Sequence, residues 1–489
     1  MKKHHVLLIL GGTLLLSVLM HLPHFSKDLM SIHVWRQTQT QSTINSFYEE
    51  DMNIFHPRRN ERGNGEGIFR MEFPLMQWLV AATYHITGKS VLVTRIFMFL
   101  TGLLTLAGLY LLLIRLFRKR LPAVIGVWTL SFSPLFFYYT INPLPDNLSL
   151  CCAVWGLALF MIWTEKRNFY LLPLSGFFMA LAALCKLPFI IYFIVPGIWF
   201  LREILQEGGI FEKAAKALSL FVFTVLPAWW YITVIPHWDG NRVILGVMDN
   251  KESLSVILDY LQFNLLSNLP EMLLNYGSVP LFLAAFWFLF KRRAWRNSAF
   301  LPLLALALMA LLYYFFELNA IAKVHDYYLF PFMPLLFIMV AYGAFRLLTS
   351  GKKILKYSAL VLLLVLPFTC HLRLKGRWNP ESPGFNKDLL VYKTELRAAV
   401  PEDALVVVGN DRSHFIFLYY IDKKGWGFDR DNFSPEKLQE MIGKGAAYLY
   451  TDSDMVKNSP DFNTLFDSTV MQKGSVTVYC LKREVGDNS

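Results

Sequence analysis

The chain has 489 residues, 55% of them hydrophobic and 17% charged, whereas an ordinary soluble domain carries about 25% charged residues. Apolar runs of bilayer-spanning length recur down its first three-quarters, which argues against a soluble enzyme and excludes disorder, collagen and a disulfide scaffold. The net charge is 47 − 36 = +11; in a protein with many spans this reads as the cytoplasmic Lys/Arg bias rather than as a nucleic-acid footprint.

The chain opens Met1-Lys2-Lys3-His4-His5 and continues apolar from Val6 to Met20. Leu22-Pro23-His24-Phe25 is a poor cleavage context, so the expectation is an uncleaved first spanning helix. About eleven spanning candidates follow the hydropathy, near 5–22, 91–115, 121–139, 147–163, 169–186, 187–202, 214–235, 278–291, 298–317, 327–347 and 354–371. With the Lys2-Lys3 end in the cytoplasm, Arg118-Lys119-Arg120, Lys166-Arg167, Arg202 with Lys213, Lys291-Arg292-Arg293 and Lys352-Lys353 all fall inside. Segments 23–90, 140–146, 236–277, 318–326 and the tail after 371 then face outward.

The first outer loop, 23–90, has structure of its own. Ile44, Phe47 and Tyr48 share one helical face, and Leu75, Trp78, Leu79 and Ala82 share another, opened by Pro74 and ended by Gly88. Both read as helices lying on the membrane surface. Between them Arg58-Arg59-Asn60-Glu61-Arg62-Gly63-Asn64-Gly65-Glu66-Gly67 is polar and Gly-rich, the composition of a mobile loop. From about 376 the composition shifts. Ala404–Val408 and Ala446–Tyr450 read as buried strands, Ser475–Cys480 alternates, and Ser434-Pro435-Glu436 opens a helix. The expected organisation is a membrane domain, 1–375, carrying the 23–90 loop, and an extracytoplasmic α/β domain, 376–489. Gly409 lacks the G-x-G-x-x-G context, which argues against a nucleotide site. The five cysteines show no metal-ligand spacing. No internal repeat is visible, which weighs against a secondary transporter.

The outward ends are rich in polar groups: His33 to Thr40, Met71-Glu72-Phe73-Pro74, Asn142-Pro143-Leu144-Pro145-Asp146-Asn147, Leu184-Cys185-Lys186-Leu187-Pro188, and Lys323-Val324-His325-Asp326-Tyr327-Tyr328-Leu329-Phe330-Pro331. Each has a plain structural explanation. Glu72 and Asp146 suit helix N-termini, Lys186 can snorkel, His325 can pack at an interface, and Arg36 and Arg58 can meet lipid phosphates. Their convergence on one membrane face is the stronger signal, because ionisable groups at a bilayer need partners and mark sites. Carboxylates there can accept a proton from a hydroxyl, and cations can hold and stabilise a departing phosphate. With no ATP site outside, the activation must come with the substrate, which a polyprenyl-phosphate sugar provides.

Taken in order, Trp35-Arg36-Gln37-Thr38-Gln39-Thr40, Phe47-Tyr48 with His56-Pro57-Arg58, Glu72-Phe73-Pro74-Leu75, Pro145-Asp146-Asn147-Leu148, Lys186-Leu187-Pro188 and His325 to Pro331 resemble the GT-C superfamily glycosyltransferases. The likeness is to the bacterial group related to protein mannosyltransferases and lipid A aminoarabinose transferase, and it covers about residues 30–335. It implies a polytopic helical bundle of the bacterial inner membrane with an extracytoplasmic active site. It also implies a polyprenyl-phosphate-linked sugar donor and inversion at the anomeric carbon. Partners are then that donor, membrane lipid and an extracytoplasmic lipid, glycan or protein acceptor, with no nucleic acid. Where the group carries Asp in W-R-Q-A-D-T, this sequence has Gln39. Either another acid is the base, or the protein is a noncatalytic binder; a transporter of lipid-linked sugars is a further alternative. Glu72 is the first choice for the catalytic base and Asp146 the second. Arg36, Gln39, Arg58 and Lys186 are the expected donor contacts, with His325 and Tyr328. No cofactor is certain; a divalent metal stays open, since Glu72, Asp146 and His325 could converge.

Overall fold

The computed structural model describes residues 2–63, 65–206, 209–238, 252–293, 296–297, 300–321 and 325–482. Lys323 and Val324, part of the fifth polar motif, lie outside the described residues, as do 298–299 at the start of the expected 298–317 span. The helices run, in chain order, α1 Lys3–His21, α2 Val34–Glu49, α3 Leu75–Thr87, α4 Val91–Phe117, α5 Arg120–Ser131, α6 Pro134–Tyr139, α7 Pro145–Lys166 and α8 Leu171–Cys185. They continue with α9 Ile194–Ile204, α10 Ile210–Phe221, α11 Val225–Val234, α12 Leu254–Phe263, α13 Val279–Lys291, α14 Leu301–Phe316, α15 Met333–Leu348 and α16 Lys353–Leu374. The chain divides into two compact units: Met1–Ser26, Met71–Met76 and Thr94–Lys375 form one, and Lys27–Arg70, Gln77–Val93 and Gly376–Ser489 the other.

The first unit is a bundle of apolar helices. Among the described residues seven helical stretches are long and apolar enough to cross a membrane, and Leu254–Leu273 with Tyr276–Lys291 form a further pair bent by 98°. The remaining candidates of the sequence are helical too but shorter or broken. The expected 121–139 span divides at Phe132, because Ser133 caps and Pro134 opens α6 as a new helix. Ser133 Oγ donates to the Leu273 carbonyl at 2.6 Å, so the break is anchored. Small residues let helices touch: a Cβ on Gly176 would overlap the Leu220 carbonyl, and one on Gly343 the Leu281 carbonyl.

The second unit joins the first outer loop to the chain tail. Its five strands are β1 Leu405–Gly409, β2 Lys424–Gly427, β3 Tyr448–Thr451, β4 Phe466–Lys473 and β5 Val476–Leu481, in the order β2-β1-β3-β5-β4. β1 pairs parallel with β2 and β3, while β3–β5 and β5–β4 are antiparallel. Alternation along β1 builds two cores: Val406 and Val408 pack with Leu29, Val34 and Leu396, and Val407 packs with Phe428, Leu438 and Phe462. The Ser434 hydroxyl accepts from the Lys437 amide and caps the helix Pro435–Gly443. The 58–67 stretch, expected to be mobile, is held. Gly425 at the edge strand β2 donates to the Asn60 carbonyl at 3.0 Å and accepts from the Arg62 amide at 2.8 Å. Loop residues therefore cover an edge that would otherwise be open.

Candidate active site

In the membrane unit the polar motifs meet where helices are interrupted. Pro188 has no amide hydrogen, so the Leu184 carbonyl loses its helical donor and α8 stops at Cys185. That carbonyl instead accepts from the Phe73 amide at 3.2 Å and the Tyr231 hydroxyl at 3.1 Å. Trp230 Nε1 donates to the Met71 carbonyl at 3.0 Å. Glu72, 8% exposed, is thereby clamped through the backbone on both sides and lies within electrostatic reach of Cys185, the last residue of α8.

Asp146 is fixed from the other direction. Arg95, fully buried, donates to the Ile141 carbonyl at 3.0 Å and Asn142 Oδ1 at 2.7 Å. Asn147 Nδ2 donates to the Tyr139 carbonyl at 2.6 Å. Pro145 opens α7 and puts Asp146 in its first turn, where the helix dipole favours a carboxylate. The Lys186 ammonium stands 3.8 Å from Asp146 Oδ2, with side-chain exposures of 12% and 1%.

Aromatic rings and further polar groups surround this pair. The Lys186 ammonium lies 4.9 Å from the Tyr328 ring centroid and 5.5 Å from that of Tyr327. His325 Nδ1 is 3.3 Å from the Tyr327 hydroxyl, and its ring is 4.8 Å from that of Tyr328. Tyr139 donates to Asp326 Oδ1 at 2.5 Å, and Tyr313 to the Tyr328 carbonyl at 3.2 Å. Tyr231 lies within electrostatic reach of both Glu72 and Asp146, and Glu317 within reach of Lys186. Glu317, Asp326 and Tyr139 were not among the residues expected from the sequence. Asp326 stood inside a motif already noticed, and Glu317 is a lone acid closing an apolar run. An apolar cavity of about 610 Å³ opens between α13, α14 and α15, lined by Phe286, Phe290, Leu304, Leu311, Phe332 and Met339. The Phe332 ring is 5.7 Å from that of Tyr313, whose hydroxyl donates to the Tyr328 carbonyl, so one wall residue of the cavity is linked through Tyr313 to the Tyr328 backbone.

The remaining expected residues belong to the second unit. Helix α2 is polar yet buried: Gln37, Thr38, Thr40, Gln41 and Ser42 are each at most 2% exposed. Gln41 donates to Asn45 and to the Tyr84 hydroxyl, both at 2.9 Å. Arg36 donates to Gln39 Oε1, so the amide standing in the acidic position keeps an acceptor for the guanidinium. Arg58 pairs with Glu66 at 2.9 Å and Glu50 at 4.0 Å. Glu50 also meets Lys424 at 2.9 Å and Arg62 at 3.2 Å. Burial favours the neutral form of Glu50, but Lys424 and Arg62 outweigh it and hold the carboxyl below its ordinary value. Among the described residues no group of three or more His, Cys, Asp and Glu could hold a metal ion.

Set beside solved structures, the chain matches ArnT from Cupriavidus metallidurans in the apo state with a TM-score of 0.66, 14% identity and 98% of each chain covered. It has the GT-C fold. ArnT bound to undecaprenyl phosphate matches as well, at 0.66 and 13% over 98% of each chain. The Archaeoglobus fulgidus oligosaccharyltransferase in complex with Zn and sulfate matches at 0.58 and 13%, covering 97% of this chain and 73% of that one. A family model described as dolichyl-phosphate-mannose-protein mannosyltransferase matches residues 72–231, the stretch from Glu72 through Asp146 and Lys186 to Tyr231. No curated protein is a significant match to the sequence. The GT-C resemblance read from the motifs is borne out, and the chain is a multi-pass membrane protein.

Proposed function

We propose that this GT-C chain is a membrane glycosyltransferase that moves a sugar from a polyprenyl phosphate onto an extracytoplasmic lipid, glycan or protein. The observation that carries the reading is the buried Lys186–Asp146 pair, with the Tyr327 and Tyr328 rings beside the ammonium. A buried cation flanked by aromatic rings suits a lipid phosphate, and the apolar cavity between α13, α14 and α15 suits its chain. Lys186 is the principal phosphate contact, with His325 and Tyr328 as further donor contacts in the same unit; Arg36 and Gln39 are proposed as the donor contacts contributed by the second unit's own helix α2. Arg58, with its carboxylate partners, fits a different role, taken up below.

In the reaction the acceptor oxygen bonds to the anomeric carbon while the bond from that carbon to the phosphate oxygen breaks. Polyprenyl phosphate leaves with the electron pair, and Lys186 stabilises the charge as it grows. The acceptor proton passes to a carboxylate. Asp146 is engaged by Lys186, so Glu72 is the base that takes the proton, while the acceptor oxygen attacks from the face opposite the phosphate and inverts the centre. The expected setting is the bacterial inner membrane, with the 376–489 domain outside. The test incubates purified protein in lipid with labelled polyprenyl-phosphate sugars and a membrane extract. Wild-type protein should release polyprenyl phosphate and label an acceptor, and Glu72→Gln should lose about 10²-fold or more in turnover with its fold intact. Unchanged turnover removes Glu72 from the mechanism. Donor binding without cleavage would favour the noncatalytic reading that Gln39 suggests.

A further inference from the structure

The second unit contains a cavity of about 570 Å³ that the proposed chemistry does not use. Ligand pockets run from about 300 to 1,000 Å³, so it can take a small molecule. Its walls come from two stretches far apart in sequence. Glu50, Arg58, Arg62 and Glu66 form one side; Trp426 and Lys444 form the other. Backbone pairing of Asn60 and Arg62 with Gly425 ties these walls together. Trp426, 8% exposed and packed in the core with Val407 and Phe428, donates its indole N–H to the Gly63 carbonyl at 2.7 Å, which fixes the ring and leaves only a strip of it open to the cavity.

The lining chooses the ligand class. Arg58, Arg62 and Lys444 bring three positive charges and Glu50 and Glu66 two negative ones, so the walls are close to neutral. A polyanion would meet two carboxylates, and an apolar ligand would strip five charged groups of water. A polyol meets neither cost. These groups are already ion-paired, Arg58 with Glu66 and Glu50, Arg62 with Glu50, and Lys444 with Glu440, so vicinal hydroxyls would bind to the remaining lone pairs and N–H groups of intact pairs. The strip of Trp426 open to the cavity can meet the apolar C–H edge of a sugar ring.

We propose that this cavity binds a neutral saccharide, and, on the glycosyltransferase reading, that it seats a sugar-bearing acceptor. Saturation-transfer NMR on the full chain in nanodiscs tests it, with mannotriose, tri-N-acetylchitotriose and trigalacturonate as probes. At least one neutral trisaccharide should give a signal. Lys444→Ala and Glu66→Gln change side chains that are 36% and 73% exposed, so the fold should tolerate both. Each should weaken binding about tenfold. No signal from either neutral probe, a signal from trigalacturonate alone, or binding unchanged in the double variant overturns the proposal. Donor cleavage by wild-type protein is measured separately. Saccharide binding without donor cleavage would keep the site and remove the transferase reading, whereas cleavage without saccharide binding would do the reverse.

Discussion

Replacing Lys186 by Met removes the cation 3.8 Å from Asp146, a carboxylate whose side chain is only 1% exposed. At an effective dielectric of about 20 and that separation, the Coulomb attraction is about 4 kcal/mol. Breaking one side of a buried pair costs about 3–5 kcal/mol, because the remaining charge stays buried. Lys186→Met should therefore lower stability by that amount, read as denaturant or thermal unfolding in detergent. Lys186→Met combined with Asp146→Asn removes both charges and should recover most of the loss. Turnover should behave differently. If Lys186 stabilises the departing phosphate, both variants should lose about 10²–10³-fold in donor cleavage. A double variant that regains stability but not activity separates the two roles. A single variant as stable and active as wild type, or a double variant with restored turnover, refutes the reasoning.

Tyr139→Phe deletes the hydroxyl that donates to Asp326 at 2.5 Å between two buried side chains; unfolding should become easier by about 1.5–3 kcal/mol, and no change would show the bond idle. Glu50 titrates below its ordinary 4.5 in the folded protein, so its contribution is present above that pH and is lost as pH falls through the lower folded value. Amide exchange of residues 58–63 should rise in that acid window in wild type, while Glu50→Gln should show no such step. Gly425 has φ +154°, and a Cβ there would overlap the Val406 carbonyl. Gly425→Ala should cost about 1–3 kcal/mol in the second unit and release the 58–63 stretch to exchange; a neutral effect would mean that β2 can shift away.

Much of the bundle was legible because bilayer-spanning hydropathy is a local signal. All eleven expected spans are helical over most of their described length, and the broken one failed at Ser133-Pro134, where cap chemistry outweighs average hydropathy. In the tail, the strands at 404–408, 446–450 and 475–480 and the Ser434 cap were readable to within a few residues. Two strands were missed for opposite reasons. Lys424-Gly425-Trp426-Gly427 has the composition of a turn, and Phe466–Lys473 is an outer strand with most of its side chains in water. The site motifs could be noticed singly, but Lys186 and Asp146 lie far apart in sequence, and their pairing follows from where Pro188 ends a helix. The 58–67 loop was misread because its Gly-rich composition says nothing of a strand edge supplied by the distant tail.

That edge has a consequence for how the protein is made. The Trp426–Gly63 hydrogen bond joins residues 363 positions apart. At synthesis rates of about 5–20 residues per second, the loop waits about 20–70 s before its partner strand exists. Throughout that interval the backbone groups of Asn60 and Arg62 have only water or a chaperone to bond. The loop is fastened only on a finished chain, and a chain truncated before Lys424 should be clipped by proteases between Arg58 and Arg62 while the intact protein resists.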